Sequence, residues 1–131
     1  MEAATQAKHD SVRVLIVDDE PLFVEMVEAL LATDARIAVA GRAKNGLEAV
    51  DLQATLAPDV TLMDISMPLV DGIEATRRIR ERHPKACVLM LTGSSVAAEI
   101  DRSRQAGAAG YLTKDRVGSQ LVEAILDLGR R

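Results

Sequence analysis

Two groups of carboxylates each follow a short apolar run. Val60–Met63 leads into Asp64, and Val12–Val17 leads into the acidic run Asp18–Glu20. Both apolar runs are typical of buried parallel strands, whose carboxyl ends meet at the edge of the sheet where open α/β proteins bind ligands. We therefore expect three or four carboxylates to lie close together at that edge.

Such a cluster of acids needs a cation. Two carboxylates about 5 Å apart repel each other by about 3 kcal/mol at an effective dielectric constant of about 20. Oxygen-only ligands suit Mg²⁺, which takes one or two carboxylates and keeps waters that a phosphate can replace. We expect Asp19 and Asp64 to hold Mg²⁺ (or Mn²⁺ in its place), with Asp18 acting through a water.

Two further polar residues end predicted strands. Thr92 follows the apolar run 86–91, and Lys114 follows the run 110–113. Each alone is more often a helix cap or a solvated residue, but together they converge with the acids on one edge. This set suits phosphoryl transfer: Asp64 is the carboxylate nucleophile, Lys114 neutralises charge, and the Thr92 hydroxyl donates a hydrogen bond.

The rest of the chain alternates strand-like and helix-like patterns. Five strands alternating with five helices predict a parallel sheet covered on both faces. We expect an α/β, flavodoxin-like, doubly wound (βα)5 three-layer sandwich with strand order 2-1-3-4-5. Helical spacing predicts inward faces on helix one (Leu22, Phe23, Met26, Val27, Leu30, Leu31), helix two (Leu47, Val50, Ala54) and helix three (Ile73, Thr76, Ile79).

Composition limits the range of functions. The 131 residues suit one domain, with 1–11 as a flexible tail, 12–128 as the domain and 129–131 as a C-terminal tail or the start of a linker. A net charge of −4 and only 2% aromatic residues argue against a nucleic-acid surface or flavin stacking. The sequence shows neither a signal-peptide pattern nor a run long enough to span a membrane, which predicts a cytoplasmic protein without membrane contact.

Several motifs, in order, carry a family resemblance. They are LIVDDEP, NGLEAVDL, PDVTLMDISMPLVDG, VLMLTG and AGAAGYLTKD. With these motifs the chain resembles, from Val12 to Leu128, the receiver domain of bacterial two-component response regulators. The resemblance implies a signalling domain rather than an enzyme, one that assists only its own phosphorylation and dephosphorylation. The expected partner is a sensor histidine kinase.

The resemblance also implies a role for each site residue. Asp64 is the expected phosphoacceptor, and Lys114 corresponds to the family's invariant lysine. Asp18 and Asp19 resemble the acidic pair of the metal site, which the backbone carbonyl of Ser66 would complete. Thr92 and Tyr111 resemble the switch pair, with Thr92 moving toward the phosphoryl group and Tyr111 turning inward behind it.

One departure from the common pattern points to a branch. Many receivers place a proline, with a cis peptide bond, after the lysine, whereas here Asp115 follows Lys114. This feature resembles the NarL/FixJ (LuxR-type) branch, whose members usually carry a C-terminal helix-turn-helix. We therefore expect dimerisation on phosphorylation, and DNA contact only through an output domain absent from this chain. A piece of a longer transcription factor is favoured, with a stand-alone receiver that acts through protein contacts as the alternative.

Three other functions fit the sequence less well. A flavodoxin would need a neutral phosphate loop where this chain has Asp18–Glu20. A phosphatase of the haloacid dehalogenase type would need an aspartate at the position of Ser66. A degenerate receiver used only for binding would lack a member of the phosphorylation set, and none is missing.

Overall fold

A computed structural model describes residues 11–93 and 96–130. Five parallel strands form one sheet of order β2-β1-β3-β4-β5, which confirms the predicted fold. The strands are β1 (Val12–Val17), β2 (Ile37–Ala43), β3 (Val60–Asp64), β4 (Val88–Thr92) and β5 (Gly110–Thr113). The helices are α1 (Pro21–Leu31), α2 (Gly46–Leu56), α3 (Gly72–Arg82), α4 (Ala97–Gln105) and α5 (Val117–Gly129), with a 3₁₀ turn over Lys114–Arg116 before α5.

The core lies in two layers, one on each face of the sheet. Because strand side chains alternate, β1 sends Val14 and Ile16 to one face and Leu15 and Val17 to the other. The first face packs against α1 and α5, and the second against α2 and α3. The strands at the centre of the sheet are buried on both faces, as their continuous apolar runs predicted.

The register of the sheet sets the relative height of the strand ends. Val17 pairs with Met63, so the next residues, Asp18 and Asp64, lie side by side at the edge. Thr92 pairs with Thr113 on β5, which places Lys114 one residue further along. The carboxyl edge therefore carries all the polar strand ends that the sequence analysis singled out.

Two helices begin at side-chain caps. The Asp71 carboxylate accepts a hydrogen bond from the Glu74 backbone amide and so caps α3. Asn45 caps α2 in the same way, through the amide of Glu48. Ser94 and Ser95, whose residue type suits a cap of α4, lie outside the described residues, and Val96 takes the N-cap position.

The predicted inward faces of α1 and α2 were partly wrong. On α1, Leu22 is 80% and Met26 45% exposed, whereas Val24, which the predicted stripe omitted, is buried. On α2, Leu47 is also exposed, and the buried positions are Gly46, Ala49 and Gln53. Both helices carry apolar residues on more than one side, so spacing alone did not fix which side faces the sheet.

The ends of the chain differ from expectation in one place. Helix α5 continues through Gly129, one residue beyond the predicted end of the domain. A Cβ at Gly129 would lie 2.4 Å from Val12, so the helix end packs closely on β1. Residues 1–10 of the predicted tail lie outside the described residues.

None of the helices in residues 11–93 and 96–130 has both the length and the apolar character needed to cross a bilayer.

Candidate functional site at the carboxyl edge of the sheet

Alternation along the strands brings three charged residues to the same face. Residues two apart along a strand face the same side of the sheet. Asp18 therefore shares a face with Ile16 of β1, and Asp64 with Leu62 of β3. Lys114 shares that face with Leu112, the buried residue of β5. All three of these apolar residues belong to the layer that packs against α1 and α5. The sheet itself thus directs Asp18, Asp64 and Lys114 toward the beginning of α1.

The Lys114 ammonium lies among three carboxylates. Its Nζ is 3.0 Å from Asp18 Oδ2, 3.2 Å from Glu20 Oε1 and 3.5 Å from Asp64 Oδ1. The Asp18 and Asp64 side chains are almost fully buried, whereas that of Glu20 is 66% exposed. One lysine therefore faces two buried acids and one exposed acid, which leaves an excess of negative charge at the edge.

Asp64 holds its proton more tightly than an ordinary aspartate. Burial raises the pKa of Asp64 to about 6, and the neighbouring Asp18 charge acts in the same direction. Lys114 and a hydrogen bond from the Ser66 backbone amide oppose this rise in pKa but do not cancel it. Above that pKa the carboxyl is mostly ionised, which is the form that can attack as a nucleophile.

Lys114 remains firmly charged. Burial alone would lower its pKa, but the hydrogen bond to Asp18, with the charges of Asp64 and Asp18, outweighs burial and raises the pKa. A permanently cationic group beside Asp64 can stabilise negative charge that develops on a ligand there.

The acidic run after β1 divides between two directions. Asp18 is buried and Asp19 is exposed, while Glu20 returns toward Lys114. Among the described residues, the three carboxylates close enough to share a metal ion are those of Asp18, Glu20 and Asp64, whose ligand atoms lie within 4.8 Å of one another. Glu20 belongs to the acidic cluster expected from the sequence, but no site role was predicted for it. The one sequence feature that could have indicated a site role for Glu20 is its position directly after two acids.

Asp19 lies on the other side of the edge. It lines a shallow cleft of about 520 Å³ together with Ile65 and Ser66 of the β3–α3 loop. Its carboxylate does not belong to the close group around Lys114. The predicted metal roles of Asp19 and of the Ser66 carbonyl stay predictions.

Thr92 and Tyr111 share the opposite face of the sheet. Met90 and Tyr111 pair across β4 and β5, and Thr92 lies two residues beyond Met90 on the same face. Thr92 is buried, whereas Tyr111 is 41% exposed. The predicted switch pair are therefore diagonal neighbours, and the tyrosine is turned toward solvent in this structure.

The segment after Lys114 lacks both the proline and the cis peptide bond of the usual pattern. Every peptide bond within the described ranges is trans, including that between Lys114 and Asp115. Lys114–Arg116 instead form a single 3₁₀ turn that leads directly into α5. Lys114 thus sits between a strand and a helix that both pack into the core.

Comparison with known proteins agrees with this geometry. The sequence model of the response regulator receiver domain family matches residues 14–126. The transcriptional regulatory protein DegU of Brevibacillus brevis is 37% identical over 120 residues, which cover 92% of this chain and 51% of DegU. A protein-glutamate methylesterase/protein-glutamine glutaminase of Methanospirillum hungatei is 43% identical over 101 residues, which cover 77% of this chain and 29% of that protein.

A solved structure of a receiver domain has the same fold as this chain. The signal receiver domain of the response regulator NarL from Mycobacterium tuberculosis superposes with a TM-score of 0.88 at 35% identity, covering 92% of this chain and 98% of that one. This similarity agrees with the branch expected from the Lys114–Asp115 pair. The chain spans about half the length of DegU and a smaller part of the methylesterase. With the family model matching most of its length, the chain belongs to the response regulator receiver domain family.

Proposed function

We propose that Asp64 of this cytoplasmic protein accepts a phosphoryl group from the phosphohistidine of a sensor histidine kinase. One observation carries this proposal: Lys114 reaches both Asp18 and Asp64, and the two buried acids still outnumber it. A purely structural ion pair would need a single acid. A surplus of buried negative charge costs stability, and perturbed carboxylates of this kind are characteristic of functional sites.

The residues have separate parts in the transfer. An Asp64 carboxylate oxygen attacks phosphorus in line, so that a P–O bond forms as the P–N bond to the histidine breaks. The imidazole nitrogen leaves with the electron pair and takes up a proton. Lys114, 3.5 Å from Asp64, neutralises charge on the transferred oxygens, and the Thr92 hydroxyl donates a hydrogen bond to them.

The acidic edge also fits a divalent cation. Its donors are all oxygen atoms, and carboxylate oxygens of Asp18, Glu20 and Asp64 lie within 4.8 Å of one another. In our proposal Asp18, Asp19, Asp64 and the Ser66 carbonyl hold Mg²⁺, which Mn²⁺ could replace. When bound, the ion supplies further positive charge to the phosphoryl oxygens.

Phosphorylation then biases the opposite face of the sheet. In our proposal Thr92 moves toward the phosphoryl group and Tyr111, now exposed, turns inward behind it. The altered surface favours a homodimer and controls an output domain, which we propose binds DNA. The relative DegU is named a transcriptional regulatory protein, which supports a role of this kind. The receiver itself assists only its own phosphorylation and dephosphorylation.

Intact mass measurement tests the proposal. The protein is incubated with phosphoramidate and Mg²⁺, and we expect the mass of one added phosphoryl group. Asp64→Asn should abolish the adduct. Asp71→Asn is the matched control, because asparagine can still cap α3 and residue 71 lies outside the Lys114 cluster. An adduct that persists in Asp64→Asn, or none in the natural protein, would refute the proposal.

A further inference from the structure

The Lys114 ammonium has a fourth neighbour, which is not an acid. Its Nζ lies over the ring of Phe23, 4.4 Å from the ring centroid. Phe23 is the single phenylalanine of the chain and lies in the first turn of α1. Its ring packs against the apolar layer between the sheet and α1, which holds it in place.

The ring and the exposed acid differ as supports for the lysine. Glu20 contacts Nζ at 3.2 Å, but its side chain is 66% exposed, so water and salt weaken that pair. The Lys114 side chain is only 19% exposed, and the ring covers it from the helix side. A cation within about 6 Å of an aromatic centroid is attracted to the ring face, and more strongly where water is excluded.

The beginning of α1 explains why an aromatic residue matters here. Leucine would satisfy the apolar packing of this helix position, but it would leave the flexible lysine stem without an electrostatic partner on that side. The carboxylates of Asp18 and Asp64 attract the ammonium without fixing its height above the edge. A ring of fixed position adds that constraint.

We propose that Phe23 is a positioning residue for phosphoryl transfer, whose ring holds the Lys114 ammonium beside Asp64. This inference rests on the proposed phosphoacceptor role of Asp64. It assigns to the first turn of α1 a contribution to the site that lies outside the set of acids, threonine and lysine.

The first test compares initial rates of phosphorylation by phosphoramidate. Phe23→Leu keeps an apolar side chain but removes the ring, so the rate should fall about three- to tenfold. Phe23→Tyr and Phe23→Trp keep an aromatic face and should stay within about twofold of the natural protein. In a Lys114→Ala background, Phe23→Leu should have no further effect on the rate.

Three outcomes would overturn the inference on rates. An unchanged rate in Phe23→Leu would show that the ring does not matter. An equal loss with and without Lys114 would show that Phe23 supports only the fold, and so would a failure of both aromatic variants to retain the rate. Thermal unfolding of each variant separates these cases from simple loss of folded protein.

The second test does not depend on phosphorylation. In protein labelled with ¹³C-lysine, ring currents should shift the Lys114 ε-methylene signal upfield of those of the other three lysines. Lys114→Ala assigns the signal, and Phe23→Leu should return it to the ordinary range. An unshifted signal in the natural protein would contradict the inference. Failure of the natural protein to accept phosphorus would instead refute the proposed function, and the NMR result would still decide whether the ring holds the ammonium.

Discussion

Carboxylates at the sheet edge and on the surface of α3 show opposite behaviour. At the edge, burial first and the Asp18 charge second raise the pKa of Asp64 to about 6. On α3, hydrogen bonds from Arg77 and Arg78 lower the pKa of Glu74 to about 2. The difference comes from solvent and from the number of partners: Glu74 is solvated and has two guanidinium groups, whereas Asp64 is buried and shares one lysine.

This contrast distinguishes structural charge from functional charge. On α3, Arg77 and Arg78 form a solvated face, since their side chains are about half exposed and paired with Glu74. Arg80 on the same helix has a different role, because it donates to the carbonyl oxygens of Pro84 and Ala86 and ties down the following loop. The acid Glu74 thus has two solvated cationic partners. The sheet edge instead keeps more buried acids than cations, an imbalance that a ligand can relieve.

Removing the lysine should have the largest effect. Lys114→Ala leaves the edge without its cation, so we expect phosphorylation by phosphoramidate to slow by about 100-fold. The protein should still fold, because Asp64 can take up a proton when its charge is no longer compensated. Rates from intact mass and folding from circular dichroism check both parts. An unfolded variant, or one that reacts at the natural rate, would contradict this role for Lys114.

Removing the charge of Asp64 should stabilise the fold. Because the pKa of Asp64 is near 3.8 when unfolded and about 6 when folded, the folded state favours the protonated form. The free energy of unfolding should therefore fall as pH rises from about 4 to about 6, by about 2–3 kcal/mol from this group. Asp64→Asn should lack this fall and be the more stable protein at pH 7 without metal.

Urea denaturation at pH 4 and pH 7 measures this difference. The natural protein and Asp64→Asn should be similar in stability at pH 4 and should diverge at pH 7. If the natural protein were the more stable of the two at pH 7, the excess of negative charge at the edge would not carry the cost that we assign to it.

Removing an acid from α3 should have the smallest effect. Glu74→Gln breaks the contacts with Arg77 and Arg78, but these groups are solvated and exposed ion pairs contribute little. A lowered acid pKa adds stability only above the unfolded value, and this contribution is lost as pH falls toward about 2. We expect the urea midpoint at pH 7 to stay within experimental error. A loss as large as the gain in Asp64→Asn would remove the contrast between the two regions.

The topology could be predicted because each strand is a short apolar run and each helix has a clear beginning or end. It was harder to predict which side of each amphipathic helix faces the sheet. Helix α1 has apolar residues at most positions, so Leu22 and Met26 looked as suitable for the core as Val24. Only the packing of the whole sheet decides which of these side chains faces inward.

The location of the site could be predicted, but not the direction of each acid. Parallel strands bring Asp18 and Asp64 to one edge by a general rule, and Lys114 joins them there. The sequence did not show that Asp19 turns outward while Glu20 returns to the lysine, because the chain bends between β1 and α1. The contact between Phe23 and Lys114 was equally hidden, since it joins residues far apart in the sequence.

The most direct measurement locates the phosphoryl group itself. After treatment with phosphoramidate and Mg²⁺, borohydride reduces an aspartyl phosphate to homoserine, which peptide mass spectrometry can assign to a residue. Our account predicts homoserine at position 64 in the natural protein and in Asp71→Asn. Homoserine at Asp18 or Asp19, or at no position, would contradict it.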